Sequence, residues 1–361
     1  MTTVKFGDIV RDVKINVDRN NNPFGYYVAG DHMDSEDLTI HRYGNFATDD
    51  VGPAFTRIFR PGQVLYGSRR TYLKKVAVAD IEGICANTTF VLESKDESIF
   101  DNRLLPFIML SDSFTKWSVS HSKGSTNPYV LFSDLSDYEF DLPPLSEQKI
   151  LAEKLWAAYR LKESYKKLLA ATEEMVKSQF IEMFDFEELN LNSPSAIFGK
   201  ICYDDTSSAT KIPAGEYLPE GKYAIFDQSQ DNIIAGYTND DNGLCSNYPA
   251  ILFGDHSRVI KYINEPFFIG ADGVKIIRPK SDDILPEFLY YDLKFHTIPN
   301  TGYNRHFKYI KMIKLTKADK DEQKKFLLFA NQADKSKTEL RQAIDNIDKV
   351  MKSLINNKNT I

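Results

Sequence analysis

From Leu142 to Phe184 two prolines hand over to some forty residues with no further Pro or Gly, which predicts one long helix. Ser146 is placed to cap it, and Glu147 puts a negative charge in the first turn, where the unpaired N–H groups favour it. Ala158, Lys162, Tyr165, Leu169, Thr172, Val176 and Gln179 recur at alternating steps of four and three. That spacing is a coiled-coil seam, and Leu168, Met175 and Phe180 are expected to widen its apolar face. The pattern occurs twice. Adding 175 to each number carries Glu147-Gln148-Lys149 onto Glu322-Gln323-Lys324, Ala158 onto Ala333 and Lys162 onto Lys337. The second seam then reads Ala333, Lys337, Leu340, Ile344, Ile347, Met351, Leu354, more apolar than the first. Two equivalent helices on one chain invite packing against each other. A period of this length is too long for a solenoid, so the repeating unit is a whole domain followed by a helix.

Ahead of each helix the pattern is one of short apolar runs bounded by turn signals. Val64-Leu65-Tyr66, Val76-Ala77-Val78-Ala79 and Thr88 to Leu92 read as strands, Pro106 to Val119 as helix, and Asp134 to Leu142 as a strand or extended arm. Residues 189–314 repeat that order: Ala250 to Gly254 parallels Gln63 to Gly67, Gly270 to Ile277 parallels Cys85 to Leu92, and Leu285 to Leu289 parallels Leu105 to Met109. The expected fold class is α+β, two mixed α/β domains with curved sheets at 1–141 and 189–314, each followed by a long helix at 142–188 and 315–361.

Composition narrows the function. With 42% hydrophobic residues the chain can build real cores, and three widely spaced cysteines spell out neither a disulfide framework nor a metal knuckle, which fits a reducing cytoplasm. The start of the chain has no signal-peptide pattern, and no apolar run approaches bilayer length, so no membrane partner is expected. The net charge of −6 is unevenly spread. Arg57 to Lys75 carries six Lys or Arg and no acid, and Leu293 to Ala318 carries six plus two His and no acid. One basic run in each half of an acidic chain suggests two nucleic-acid faces, against the alternative of two solvated basic loops. Catalytic patterns are absent or partial. Asn127-Pro128-Tyr129 lacks the second proline of a methyltransferase loop, and no Gly-rich loop ends in Gly-Lys-Ser/Thr. Glu220 and Lys222 with Asp204 or Asp205 only loosely suggest a nuclease cluster, and the six His do not fall at metal-ligand spacing. Cys85 and Cys245 read as small core residues.

The Leu-Pro-Pro-Leu-Ser-Glu-Gln-Lys start of the first helix (Leu142 to Lys149), its second copy, and Gly-Tyr-Asn-Arg-His-Phe-Lys-Tyr-Ile-Lys (Gly302 to Lys311) before that copy resemble the specificity (S) subunit of type I restriction–modification enzymes, over the whole chain. The resemblance implies two target-recognition domains alternating with two helices that pack as an antiparallel coiled coil. Each domain would read one half of a bipartite site in double-stranded DNA. It also implies a non-catalytic subunit without a cofactor of its own, recruiting two methyltransferase (M) subunits and through them the restriction (R) subunits. S-adenosylmethionine, ATP and Mg would then belong to those partners. The sequence departs from the family pattern twice: the second helix lacks the Pro-Pro-Leu lead-in, although Asp319 and Glu322 make a capping box, and the first domain has Gly124-Ser125-Thr126-Asn127-Pro128-Tyr129 in place of Gly-Tyr-x-Arg-His.

Against that background Arg305 is suited to a guanine edge and Asn304 to adenine, with Tyr303 and His306 beside them and Lys308 and Lys311 suited to phosphate. In the first half Arg69, Arg70, Tyr72, Lys74 and Lys75 are candidates for the DNA face, with Ser125 and Asn127 on the later loop; Arg258 and Lys261 are the second half's counterparts of the first basic run. If Thr71 to Lys75 is a strand, alternation puts Arg70, Tyr72 and Lys74 on one face and Arg69 and Lys75 on the other. Two rival readings are a coiled-coil scaffold protein without DNA specificity and an autonomous restriction enzyme using Glu220 and Lys222.

Overall fold

The structure is a computed structural model that describes residues 2–18, 21–184, 195–230, 233–271, 273–302 and 304–356. It divides into two compact units, residues 1–166 with 341–361 and residues 167–340, so both long helices contribute to both units.

In the first unit an antiparallel sheet runs Val10–Asp12, Thr89–Ser94, Val64–Gly67, Val76–Val78. The strands alternate, but both sets of side chains are buried. Val64, Tyr66, Val76, Phe90 and Leu92 enter one core with the helices Leu105–Leu110 and Asp112–Ser120, while Leu65, Ala77 and Val91 enter another with Val28 and Cys85. A sheet covered on both faces explains why these strands read as continuous apolar runs. Behind it lies a second sheet of Gly44–Asn45, Tyr26–Val28, Gly83–Ala86 and Phe55–Phe59, in which Tyr26–Val28 and Gly83–Ala86 are parallel. The second unit is built alike. Its first sheet runs Cys202–Asp204, Val274–Pro279, Ala250–Gly254, Ile260–Ile263, with Ile251, Phe253 and Ile277 on one side and Leu252, Val274 and Ile276 on the other. Its second sheet departs from the repeat at one edge, where Lys211–Ile212 joins in parallel; Phe55–Phe59 joins antiparallel in the first unit.

The long helices span Leu145–Phe184 (40 residues) and Lys320–Asn356 (37 residues). In the first unit Lys162 meets Asp348 (2.6 Å), and Leu151, Leu155 and Tyr159 share a core with Met351 and Ile355. In the second Phe180 packs on Phe326 (centroids 5.1 Å apart), and Val176 shares a core with Ala330 and Ala333. Higher numbers on one helix thus meet lower numbers on the other, the antiparallel arrangement. Ala158, Tyr165, Leu169, Leu340, Ile344, Ile347 and Leu354 are half-buried along the seam, and Val176, Ala333 and Met351 are buried. Leu168 and Met175 do not widen the face: they are 51% and 47% exposed, because each sits one residue, about 100° of turn, before its seam neighbour.

Several local expectations are corrected. The first helix begins at Leu145, with the Pro144 carbonyl accepting from the Glu147 and Gln148 amides, so Ser146 lies inside it and is not its cap. Asp319 does cap the second: its Oδ1 accepts from the Glu322 amide (2.9 Å), and Glu322 accepts from the Asp319 amide (3.0 Å). The helix expected from Pro106 to Val119 is two helices, because Ser111 leaves the helical conformation and caps the second through the Phe114 amide. The arm from Asp134 carries a short helix, Phe132–Ser136, before the strand Glu139–Leu142.

The repeated Glu-Gln-Lys has a physical reason. Gln148 is buried; it accepts from the Asp101 amide (2.9 Å) and donates to the Ile99 and Pro143 carbonyls (3.0 and 2.9 Å). Gln323, also buried, accepts from the Leu285 amide (2.8 Å) and donates to the Asp283 and Ala318 carbonyls (both 2.9 Å). Each glutamine ties the first turn of its helix to the globular part of its unit. A second repeat escaped the sequence comparison: Phe6-Gly7-Asp8-Ile9 and Phe198-Gly199-Lys200-Ile201 are equivalent one-turn helices, hooked by Lys95 to the Gly7 carbonyl and by Lys280 to the Gly199 carbonyl.

Candidate nucleic-acid interface

The candidate residues gather at one loop crossing in each unit. In the first, the chain leaving Val64–Gly67 is fixed by Ser68, whose amide and hydroxyl both donate to the Thr88 carbonyl (3.1 and 2.5 Å). The later loop then lies beside it: the Val130 amide donates to the Ser68 carbonyl (3.0 Å) and the Arg70 amide to the Pro128 carbonyl (2.7 Å). This sets Arg69 and Arg70 against the loop that carries Ser125 and Asn127, and these four residues and Tyr72 are exposed. The side chains of Arg69 and Arg70 make no hydrogen bond or ion pair with any described residue, so both guanidinium groups are available. Thr71 to Lys75 is not a strand. Thr71–Leu73 is a 3-10 turn flanked by Arg70 and Lys74 at φ of 49° and 48°, and the expected alternation of faces does not apply. Lys74 is instead held by Glu36 (3.1 Å) and Asp112 (3.3 Å), and Lys75 donates to the Gly30 carbonyl. Arg57, the first cation of the basic run, is buried on Asp12 (3.0 Å) and the Thr89 carbonyl (3.0 Å). Burial raises the Asp12 carboxyl even with that guanidinium beside it.

The second unit repeats the crossing. The Asp255 amide donates to the Gly273 carbonyl (2.6 Å), and the His306 amide donates to the Asp255 carbonyl (2.8 Å). Asn304, Arg305, Lys308 and Lys311 are exposed, and Asn304 donates to the Thr301 carbonyl. Lys308 lies over the Tyr309 ring (5.0 Å) and Lys311 over the Phe307 ring (4.9 Å), which leaves both ammonium groups at the surface beside an apolar support. Tyr303 lies outside the described residues. His306, expected on the DNA face, is fully buried; Nδ1 donates to the Asp255 carbonyl (2.9 Å), and Nε2 accepts from the Thr301 amide (3.4 Å). Lys261 is turned inward to the Ile233 carbonyl (3.1 Å), and burial lowers its pKa. Arg258 is half-buried and donates to the Ile298 carbonyl (3.3 Å). Of these three only His306 belongs to the crossing; Lys261 and Arg258 tie other loops through the Ile233 and Ile298 carbonyls. The residue that sequence reasoning missed is Asp255: its carboxylate accepts from the Phe307 amide (2.7 Å) and fixes the start of the Lys308 segment.

The loose nuclease cluster is not assembled, since Lys222 pairs with Asp241 (2.5 Å) and Asp204 with Lys275 (3.3 Å). Burial pushes the Cys85 thiol up to about 12, and Cys85, Cys202 and Cys245 are all buried and free. Among the described residues one metal-ligand grouping appears that chain spacing hid, with donor atoms of Asp37, His41 and Glu163 within 4.8 Å of one another. The Lys166 ammonium stands 2.8 Å from Glu163 and 3.4 Å from Asp37, so a cation of the protein's own already balances this charge. Among the described residues no helix is long and apolar enough to cross a membrane.

Comparison with known proteins agrees with this architecture. The type I restriction modification DNA specificity domain matches residues 16–174. The type I restriction enzyme EcoDI specificity subunit of Escherichia coli is 28% identical over 148 residues, 41% of this chain and 32% of that protein, so the match spans about a third of the relative's length. The type I restriction–modification system S subunit from M. genitalium shares the fold with a TM-score of 0.54 at 18% identity, over 97% of this chain and 95% of that one. A chain from a structure addressing complex assembly and conformational transition of the type I R-M system shares it with a TM-score of 0.52 at 18% identity, over 98% and 96%. The DNA specificity domain thus matches residues 16–174, less than half of the chain, while nearly the whole chain shares the fold of these type I restriction–modification structures.

Proposed function

We propose that this protein is the non-catalytic, DNA-reading subunit of a type I restriction–modification complex. Residues 1–141 and 189–314 act as target-recognition domains, and the paired helices fix the gap between two half-sites and dock two methyltransferase subunits. Restriction subunits join through those partners, which also supply S-adenosylmethionine, ATP and Mg. The observation that carries the reading is the same hydrogen-bonded loop crossing built twice, each presenting exposed cations: Arg69 and Arg70 in one unit, Arg305, Lys308 and Lys311 in the other. Arg305 and Arg69 suit base edges, while Lys308 and Lys311 suit phosphates, which position but do not specify. The acidic remainder of the chain opposes steering towards DNA, so tight binding is expected only with the partners in place. Co-purification with an adenine methyltransferase subunit tests this reading. Expected is a stable complex that methylates a two-part motif; a chain that never associates with such a subunit refutes it.

A further inference from the structure

The two loop crossings share two backbone hydrogen bonds in the same order, and these give a residue-level equivalence that the sequences do not. In the first unit the Thr88 carbonyl holds Ser68, whose carbonyl holds the Val130 amide; in the second the Gly273 carbonyl holds Asp255, whose carbonyl holds the His306 amide. Ser68 therefore corresponds to Asp255, and Val130 to His306. Both of the latter are buried, at 1% and 0%. The residue before each is exposed: Tyr129 at 40% in the first unit and Arg305 in the second. Both loops also start from a glycine at positive φ, Gly124 at 88° and Gly302 at 78°.

Tyr129 does not stand alone. It pairs across one strand gap with Arg69 and across the other with Lys123, where both backbone bonds form (2.7 and 2.9 Å). Residues directly opposite in antiparallel pairing project from the same face. Since Val130 next to Tyr129 is in the core, the shared face of Arg69, Tyr129 and Lys123 is the solvent face. Lys123 is tied to Asp134 (2.9 Å), whereas Arg69 has no hydrogen-bond or ion-pair partner among the described residues. The row thus offers a two-donor fork beside an aromatic ring with a hydroxyl tip.

We propose that Tyr129, with Arg69 beside it, is the base-reading position of the first unit and the structural counterpart of Arg305. This deepens the DNA-reading function proposed above and rests on it. The ligand is the edge of double-stranded DNA: Arg69 donates two parallel bonds to a guanine-type acceptor pair, and the Tyr129 ring packs against the neighbouring base. A tyrosine at this place explains why the first unit needs no Gly-Tyr-x-Arg-His pattern, since the fork comes from the opposite strand.

The test uses the full chain co-expressed with its methyltransferase partner, with the methylated motif mapped across a genome. Tyr129→Ala and Arg69→Ala each make one position degenerate in the same half-site, with discrimination there falling about tenfold or more. Tyr129→Phe keeps the motif because the ring contact remains, and Arg305→Ala degrades the other half-site. An unchanged motif in both Tyr129→Ala and Arg69→Ala, with Arg305→Ala still altering it, overturns this assignment and leaves the DNA-reading function standing. Degeneracy of Tyr129→Ala and Arg305→Ala in the same half-site also overturns it. Absence of any two-part motif in the unmutated complex refutes the function instead. Arg69→Ala removes an exposed side chain without hydrogen-bond or ion-pair partners among the described residues, so it reports on reading even where a loop variant misfolds.

Discussion

Replacing Gln148 with leucine keeps a side chain of similar size in place but removes one acceptor and two donors from a buried site. The Asp101 amide loses its partner, and the Ile99 and Pro143 carbonyls each lose one bond. A buried amide left unpaired costs about 1–3 kcal/mol, and carbonyls with a second lone pair add less, so the total is roughly 2–4 kcal/mol. In a unit of this size that corresponds to a fall in Tm of roughly 4–16 °C. Gln323→Leu should cost about the same, because its three bonds are equivalent. Calorimetry on the single and double variants gives the magnitude, and amide hydrogen exchange localises it: Asp101 should lose protection in Gln148→Leu, and Leu285 in Gln323→Leu. Glu147→Leu next to it, on an exposed position, should stay within about 0.5 kcal/mol. If Gln148→Leu is equally silent and Asp101 stays protected, the clamp does not hold the helix to its unit and the reason given for the repeated Glu-Gln-Lys fails.

Two further outcomes concern the first long helix. Burial alone would raise the Asp37 carboxyl, but the Tyr159 hydroxyl (2.6 Å), the Thr39 amide (3.0 Å) and Lys166 outweigh it and hold it below the ordinary carboxylate range. A folded pKa below the unfolded one stabilises above about pH 4 and is lost as pH falls through the folded value, so melts from pH 5 downward should show Asp37→Asn with a flatter pH dependence than the parent; equal slopes would exclude the contribution. Inserting four residues after Ala171 lengthens the first helix by ~6 Å, nearly two base-pair rises of ~3.4 Å, and acts as a stutter in the seam. The methylated half-sites should keep their bases while the gap between them widens; changed bases with an unchanged gap would mean that the helices do not set the spacing.

How far the sequence revealed the fold depended on whether the cause was local. The long helices were legible because a run free of Pro and Gly and a seven-residue seam are properties of the helix itself, and the strands Val64–Gly67 and Thr89–Ser94 because β-branched and aromatic runs bounded by turns have few alternatives. The inward turn of Lys261 and His306 was not, since their partners, the carbonyls of Ile233 and Asp255, lie 28 and 51 residues away. Nor was the conformation of Arg70 and Lys74, two non-glycine residues at positive φ that the crossing loop and the Glu36 and Asp112 carboxylates hold in place. Basic residues that looked alike in the sequence therefore divide into exposed forks, such as Arg69 and Arg305, and buried ties, such as Arg57. Only tertiary partners make that distinction.

The central claim is that each unit reads its own half of a two-part DNA site, and mapping the methylated motif of the complex carrying Arg305→Ala tests it most directly. The account predicts one degenerate position confined to one half-site, a loss of roughly 1–3 kcal/mol of discrimination there, and an intact second half and gap. In parallel, Lys308→Ala should weaken binding to all sequences and flatten its salt dependence without changing the motif. A motif relaxed in both halves by Arg305→Ala, or unrelated to either, would contradict the assignment of one half-site to each unit.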